Sequence, residues 1–410
     1  MSQAMAMTSE DPSLLFNSKF KEVAAGVKCV LLLVLACACC GAAAGEIVIG
    51  SLLDLSGPIV SLGTHFRNGT QMRFDEENAR GGIHGQKLKL VIEDTGYDPR
   101  KALLAAQKLI RQDRVFAVIH NLGSPVVMAT MPLFIDAGVL HLFPAAPMRE
   151  VYEPVHALKF AMSPSYALSV PPAARHLIES LGARRVGILY QDDDMGKEVL
   201  RGMDELLGEL NLGWCEKTSY KRGATEFSSQ IARLKAAQCD FVVLATVVRE
   251  TVGAYQEARR IGWQVPMLVT ASGYTAQVPE LGGREMDGLY GVVLSPHPYL
   301  AGANARLAAW IKDYRQRFGV EPNTWDVFAY CGADILIKAL DRAGPHADAR
   351  AVSRALEQTR RSRDFFGNPD LILTPSDHLA NRRVRVARIR DGRWENQTDY
   401  LTAAPAKPVR

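Results

Sequence analysis

The amino-acid sequence predicts an α/β protein of two doubly wound parallel-sheet lobes, and three observations carry that expectation. Short apolar runs alternate with amphipathic stretches at helical spacing, the pattern of parallel strands covered by helices on both faces. The same alternation restarts after Met162. The chain has 410 residues, too many for one ordinary domain and suited to two medium ones.

In the first half Ile47–Leu53 reads as a strand, followed by a turn at Ser56-Gly57-Pro58. An amphipathic helix through Phe66, Met72 and Phe74 stops at Arg80-Gly81-Gly82. Strands are expected at Leu88–Ile92, Val115–Ile119 and Val139–Phe143, with helices at Pro99–Gln112 and Ser124–Ala137 between them. In the second half the strands are Arg185–Tyr190, Trp214–Tyr220, Asp240–Ala245, Pro266–Thr270 and Leu289–Leu294. Helices at Gly196–Leu210, Phe227–Ala237 and Glu250–Gly262 separate the first four of them. Three more helices (Ala305–Phe318, Thr324–Ala343, Ala351–Gln358) and a late strand at Val384–Ile389 are left over. That surplus implies a chain crossing between lobes more than once. In such sheets ligands collect beyond the carboxyl ends of the strands, so two facing lobes create a cleft.

Composition narrows the function. An apolar fraction of 48% with 22% charged residues is ordinary for a globular protein. The net charge of +4 is scattered, with no basic run interleaved with aromatics, which argues against nucleic-acid binding. Lys19, Lys21 and Lys28 precede the apolar run from Cys29 to Ala36, and Gly41-Ala42-Ala43-Ala44 follows it. This is the grammar of a cleaved secretory signal, with cleavage after Ala44 and an apolar core of roughly 12 residues, short of the ~20 that span a bilayer. A lipoprotein signal at Val34-Leu35-Ala36-Cys37 is the rival reading, disfavoured by the bulk of Leu35. Outside that segment stand Cys215, Cys239 and Cys331, none in a C-x-x-C pair. Cys331 reads as a small core residue. Cys215 and Cys239 belong to strands that are not expected to be neighbours, so pairing is not anticipated.

Enzyme signatures do not emerge. Asp54-Leu55-Ser56-Gly57-Pro58 follows the first strand in place of a glycine-rich dinucleotide loop, and no nucleophile elbow, zinc-protease motif or phosphate loop occurs. Asp192-Asp193-Asp194 reads as a solvated turn rather than a metal site. No cofactor and no metal are expected. The informative spot is Asn121-Leu122-Gly123-Ser124-Pro125, at the end of a strand and the start of a helix. There a hydroxyl and free backbone N–H groups could hold a carboxylate. A plain helix cap is the alternative, and the cleft position favours the ligand site.

At this point the chain resembles the type I periplasmic solute-binding proteins of ABC importers, the group of the leucine/isoleucine/valine-binding proteins. The marks are Ser56-Gly57-Pro58 with Gly63, Asn78-Ala79-Arg80-Gly81-Gly82-Ile83-His84-Gly85, and Tyr97-Asp98-Pro99. Further marks are Gly138-Val139-Leu140 with Pro144, Phe227-Ser228 with Ile231-Ala232-Arg233-Leu234, and Ala258-Arg259-Arg260-Ile261-Gly262. The resemblance implies a three-crossing hinge, with residues 1–45 as signal and 401–410 as tail. One lobe would be 46–162 plus 295–378, and the other 163–294 plus 379–400. It also implies a monomer working outside the cytoplasm, in the periplasm, with an inner-membrane ABC permease as partner and no catalysis.

Carried over position by position, the family's carboxylate-binding serine falls on Ser124 beside Gly123, and its backbone site on Ala145 and Ala146. A threonine hydroxyl of the amino-acid binders becomes Pro147, and a first-loop aromatic becomes Leu62. Tyr97 lies on the same wall. In the second lobe the acidic partner of the ligand's ammonium falls on Ser272, near Tyr274, and a tyrosine falls on Val247 or Val248. The expected ligand is therefore an aromatic or branched carboxylate without an α-amino group. If Asp193 or Glu250 supplies the missing charge, an apolar amino acid is the alternative. A ligand-sensing regulator of the same fold is a further one.

Overall fold

The structure is a computed structural model that describes residues 45–402. The expected signal segment, and most of the expected tail, lie outside the described residues. The first sheet is formed by β1 (Glu46–Leu53), β2 (Lys87–Asp94), β3 (Ala117–Ile119), β4 (Leu140–Leu142) and β5 (Lys159–Phe160), in the order β2-β1-β3-β4-β5 and all parallel. Helices α1 (Val60–Ala79), α2 (Pro99–Arg111) and α3 (Ser124–Asp136) make the crossovers. All three residues of β3 are buried, and so is the carboxyl half of β1, as a sheet covered on both faces requires.

The chain then enters a second sheet through α4 (Tyr166–Leu181). It continues through β6 (Val186–Gln191), α5 (Asp194–Glu209), β7 (Trp214–Tyr220), α6 (Ser228–Ala236) and β8 (Phe241–Ala245). Next come α7 (Val248–Arg260), β9 (Met267–Val269), α8 (Gln277–Gly282) and β10 (Tyr290–Val293). Here β6 to β10 are parallel, in the order β10-β9-β8-β6-β7.

After β10 the chain returns to the first sheet with α9 (Ala305–Phe318), α10 (Thr324–Ala343) and α11 (Ala349–Leu356). Helix α10 packs along α1: His65 meets Asp326 at 2.6 Å, Arg73 meets Asp334 at 2.9 Å, and the Phe66 and Trp325 rings lie 5.5 Å apart. The chain crosses a third time into β11 (Arg383–Arg390), antiparallel to β10, with β12 (Arg393–Asn396) and β13 (Leu401–Thr402) paired to β11.

Both sheets reverse winding at one point, between β1 and β3 in the first and between β6 and β8 in the second. The loops that leave these four strands are therefore the ones that can hold a ligand. Close approach there demands glycine: a Cβ on Gly63 would lie 1.9 Å from the Asp54 carbonyl oxygen, so only glycine lets α1 start against the β1 loop. The buried Asp54 carboxylate fixes that loop by accepting the Ile59 N–H at 2.8 Å and the N–H groups of Ser56 and Gly57.

The structure departs from the sequence expectation in places with clear causes. Helix α4 was not expected, because Pro171 and Pro172 stand inside it and each removes a helix N–H. Burial of Val170, Ala173, Ala174, Leu177 and Ile178 offsets that loss. Helix α1 begins at Val60, before its first aromatic residue. The Asp192–Asp194 stretch is no solvated turn throughout: Asp193 is the N-cap of α5, accepting the Met195 N–H at 3.0 Å, and only Asp192 is exposed.

Candidate ligand-binding cleft

The first wall of the cleft comes from the β3–α3 junction. Gly123 has φ +99, and a Cβ there would lie 2.4 Å from the Tyr97 ring, so a side chain is excluded by conformation and by space. Gly123, not Ser124, is the N-cap; Ser124 is the first helical residue and makes no capping bond, which corrects the expectation of a serine cap. Ser124 is buried, and its hydroxyl has no hydrogen-bond partner among the described residues. Pro125 carries no N–H, which leaves the N–H groups of Ser124 and Val126 at a helix start where the dipole favours an anion.

The next loop contributes less than expected. Ala145 donates its N–H to the Asn121 carbonyl at 2.9 Å and accepts from Gly123 at 3.1 Å, zipping the two loops together. Its N–H is thus committed to the fold. Ala146 is buried, and its N–H has no acceptor among the described residues. Leu62, in the first turn of α1, is buried and apolar.

Tyr97 connects the walls. It holds a left-handed conformation, φ 59, which fixes its ring over Gly123. Its hydroxyl accepts from Gln191 Nε2 at 3.0 Å, and its backbone carbonyl accepts from Arg222 Nη1 at 2.9 Å, with the guanidinium 5.4 Å from the Tyr97 ring centre. Burial, and next the Asp193 charge, hold the Tyr97 phenol well above its usual range, so it stays protonated.

The second wall is a side-chain network. Gln191 Nε2 also donates to Asp193 Oδ2 at 2.6 Å, and Tyr220 donates to Gln191 Oε1 at 3.5 Å. Arg222 Nε stands 3.6 Å from Asp193 Oδ2. Burial pushes the carboxyls of Asp193 and Glu250 up, against the lowering effects of their hydrogen bonds and neighbouring arginines. Glu250 lies in the first turn of α7, with Oε2 buried and unpartnered among the described residues.

Ser272 sits on a short 3-10 turn, Ala271–Gly273, where its hydroxyl donates to the Thr246 carbonyl at 3.0 Å and lies 2.8 Å from Thr270 Oγ1. Tyr166 is buried beside Ser272, and burial holds its phenol above the usual range. Val247 is the buried, apolar N-cap of α7. Tyr274 is placed differently: it is buried, and its ring packs 5.0 Å from Trp394 inside the second sheet, so it is a core residue beside the cleft. Farther along, Gln277 Nε2 lies 2.9 Å from His65 Nε2, and His65 Nδ1 lies 2.6 Å from Asp326. A proton on Nδ1 satisfies both contacts.

The structure thus brings Gly123, Ser124, Ala146 and Tyr97 together on one wall, and Val247 and Ser272 on the other. Sequence reasoning missed Tyr166, Gln191, Tyr220 and Arg222. For Gln191, the end of a switch-point strand was an available signal; for Arg222 there was none.

Two doubly wound sheets, tied across their carboxyl-end loops by the Tyr97–Gln191 and Tyr97–Arg222 bonds, are the frame of a protein that binds small molecules. The chain belongs to the periplasmic binding protein family, whose model matches residues 46–393, and it is a substrate-binding protein of the kind that serves ABC transporters. It is 25% identical over 327 residues to Leu/Ile/Val-binding protein homolog 7 of Brucella abortus (strain 2308), covering 77% of this chain and 81% of that one. A possible leucine/isoleucine/valine-binding protein from Rhodopirellula baltica superimposes with a TM-score of 0.79 at 20% identity, over 87% of this chain and 97% of the other. A solute-binding protein of R. palustris, solved in complex with benzoate, superimposes at 0.77 with 17% identity, over 89% and 98%. No helix among the described residues is long and apolar enough to cross a membrane.

Proposed function

We propose that this protein captures a small carboxylate lacking an α-amino group, aromatic or branched, and delivers it to an ABC permease outside the cytoplasm. One lobe is residues 46–162 plus 295–378, the other 163–294 plus 379–400, and the ligand closes one on the other. The carrying observation is how the charges on the second wall are already answered. By the family resemblance Ser272 falls where the amino-acid binders carry an acidic residue, and its hydroxyl is committed to Thr246 and Thr270. Asp193 has Arg222 at 3.6 Å, and burial favours the protonated form of Glu250. An ammonium buried there would lack a free counter-charge, at a cost of several kcal/mol. On the opposite wall Ser124 and the α3 start offer donors to a carboxylate.

Among the fold's relatives are proteins named for branched-chain amino acids and one holding benzoate, so the fold itself serves both classes. An amino acid is the second reading, supported by the presence of Asp193 in the cleft.

Calorimetry with paired ligands, one bearing the α-amino group and one not, separates the two readings. The amino-free acid should bind tighter to the native protein. Ser272→Glu should weaken it, because the new carboxylate faces no cation. Tight leucine or valine binding, with weak binding of every amino-free acid, would overturn the assignment.

A further inference from the structure

Away from the cleft, two thiols meet at one edge of the second sheet. Cys215 lies on the edge strand β7 and Cys239 just before β8, and β6 runs between those strands. The intervening strand was the sequence argument against their approach. Three local features remove the separation. The β6–β7 register shifts between Val186 and Gly187, leaving Cys215 as an extra, bulged residue. The middle strand carries glycine at that level: a Cβ on Gly187 would lie 2.7 Å from Cys239 Sγ, so the thiol fills the space of a missing side chain. The chain turns back through a left-handed Gln238, φ 56, which brings the Ala237 carbonyl to 2.9 Å from Cys215 Sγ. Cys239 Sγ thus stands over Gly187, the residue beside the bulge at Cys215, and both thiols are free.

We propose that Cys215 and Cys239 form a redox modification site, a disulfide that closes β7 and α6 into one loop. Family members work outside the cytoplasm, where disulfides form and persist. The oxidant is an organic disulfide. The Cys215 thiolate attacks one of its sulfurs, the S–S bond breaks, and the departing thiolate takes up the proton Cys215 released. The Cys239 sulfur, having lost its own proton, then attacks Cys215 and displaces the second thiol. Two protein thiols are oxidised to one disulfide, and the organic disulfide is reduced to two thiols. The order follows from exposure: Cys215 is half-buried and accessible, whereas burial raises the Cys239 thiol and makes it the resolving partner. Buried Cys331, bonded to Asp364, serves as an internal control.

The test oxidises the purified chain with oxidised glutathione, blocks free thiols under denaturing conditions, digests without reduction and maps peptides by mass spectrometry. The expected product is a linked peptide pair holding Cys215 and Cys239, lighter by two hydrogens, with Cys331 alkylated. The oxidised protein should melt several degrees higher than the same sample after dithiothreitol. Cys215→Ala and Cys239→Ala should each abolish the link and that difference. Recovery of both cysteines alkylated, or a lasting glutathione adduct on Cys215 beside an alkylated Cys239, would overturn the proposal. The peptide map decides even if a variant fails to fold.

Discussion

The wall of the cleft on the first sheet presents mostly backbone, whereas the wall on the second presents side chains. On the first, a glycine with positive φ, a helix start and an uncommitted serine hydroxyl supply donors that any carboxylate can use. On the second, Gln191, Asp193, Tyr220 and Arg222 are tied together and to Tyr97 across the gap. In the proposed function the first wall would bind a functional group and the second would discriminate what is attached to it. Backbone geometry is set by the fold, but a side-chain network changes with single substitutions, so specificity belongs on the second wall.

The comparison breaks hardest at Gly123. Gly123→Ala places a Cβ against the Tyr97 ring in a conformation that L residues rarely adopt. We expect a loss of roughly 2–4 kcal/mol in stability and no measurable ligand binding, read by thermal melts and calorimetry. Ser124→Ala should be milder and purely functional. An acidic ligand should weaken by roughly 1–3 kcal/mol while melting of the ligand-free protein stays unchanged, since Ser124 caps nothing. An equal loss for a neutral analogue would show that the first wall does not read charge.

On the second wall, Arg222→Met removes the partner of Asp193 and a bond to the Tyr97 carbonyl. Because Arg222 is about one-third exposed, its pairing is worth little in stability. The change should appear in selectivity, with an amine-bearing ligand gaining about tenfold relative to its amino-free counterpart in paired titrations.

The smallest expected effect is a pH dependence. Burial raises the carboxyls of Asp193 and Glu250 in the folded state, so their contribution to stability is present in acid and lost as pH rises through the folded values. Glu250→Gln should therefore stabilise the protein at pH 7, by about 1 kcal/mol or less, and leave it unchanged at pH 4. Melts at the two pH values check this; an equal shift at both would show that Glu250 is ionised throughout.

Much of this protein was legible in the sequence because strand and helix periodicities are local. β1, β3, α3 and the second run of strands were placed to within a few residues from apolar spacing alone. Gly123-Ser124-Pro125 could be recognised as a helix start at a strand end, since cap and turn chemistry depends on adjacent residues. Helix α4 was not legible, because the burial that outweighs Pro171 and Pro172 exists only once the second sheet is assembled. The same holds for the cleft. That Ala145 is committed to Asn121 while Ala146 is not depends on how two loops lie side by side. That Tyr274 turns into the core against Trp394 depends on a strand more than a hundred residues away. Arg222 reaches Tyr97 across 125 positions of sequence, and no periodicity encodes such a contact. The sequence by itself determined the elements and the Gly123-Ser124-Pro125 helix start, through forces acting within a few residues. Tertiary structure decided which side chains line the candidate cleft and which charges are already paired, because burial and pairing exist only between segments the fold brings together.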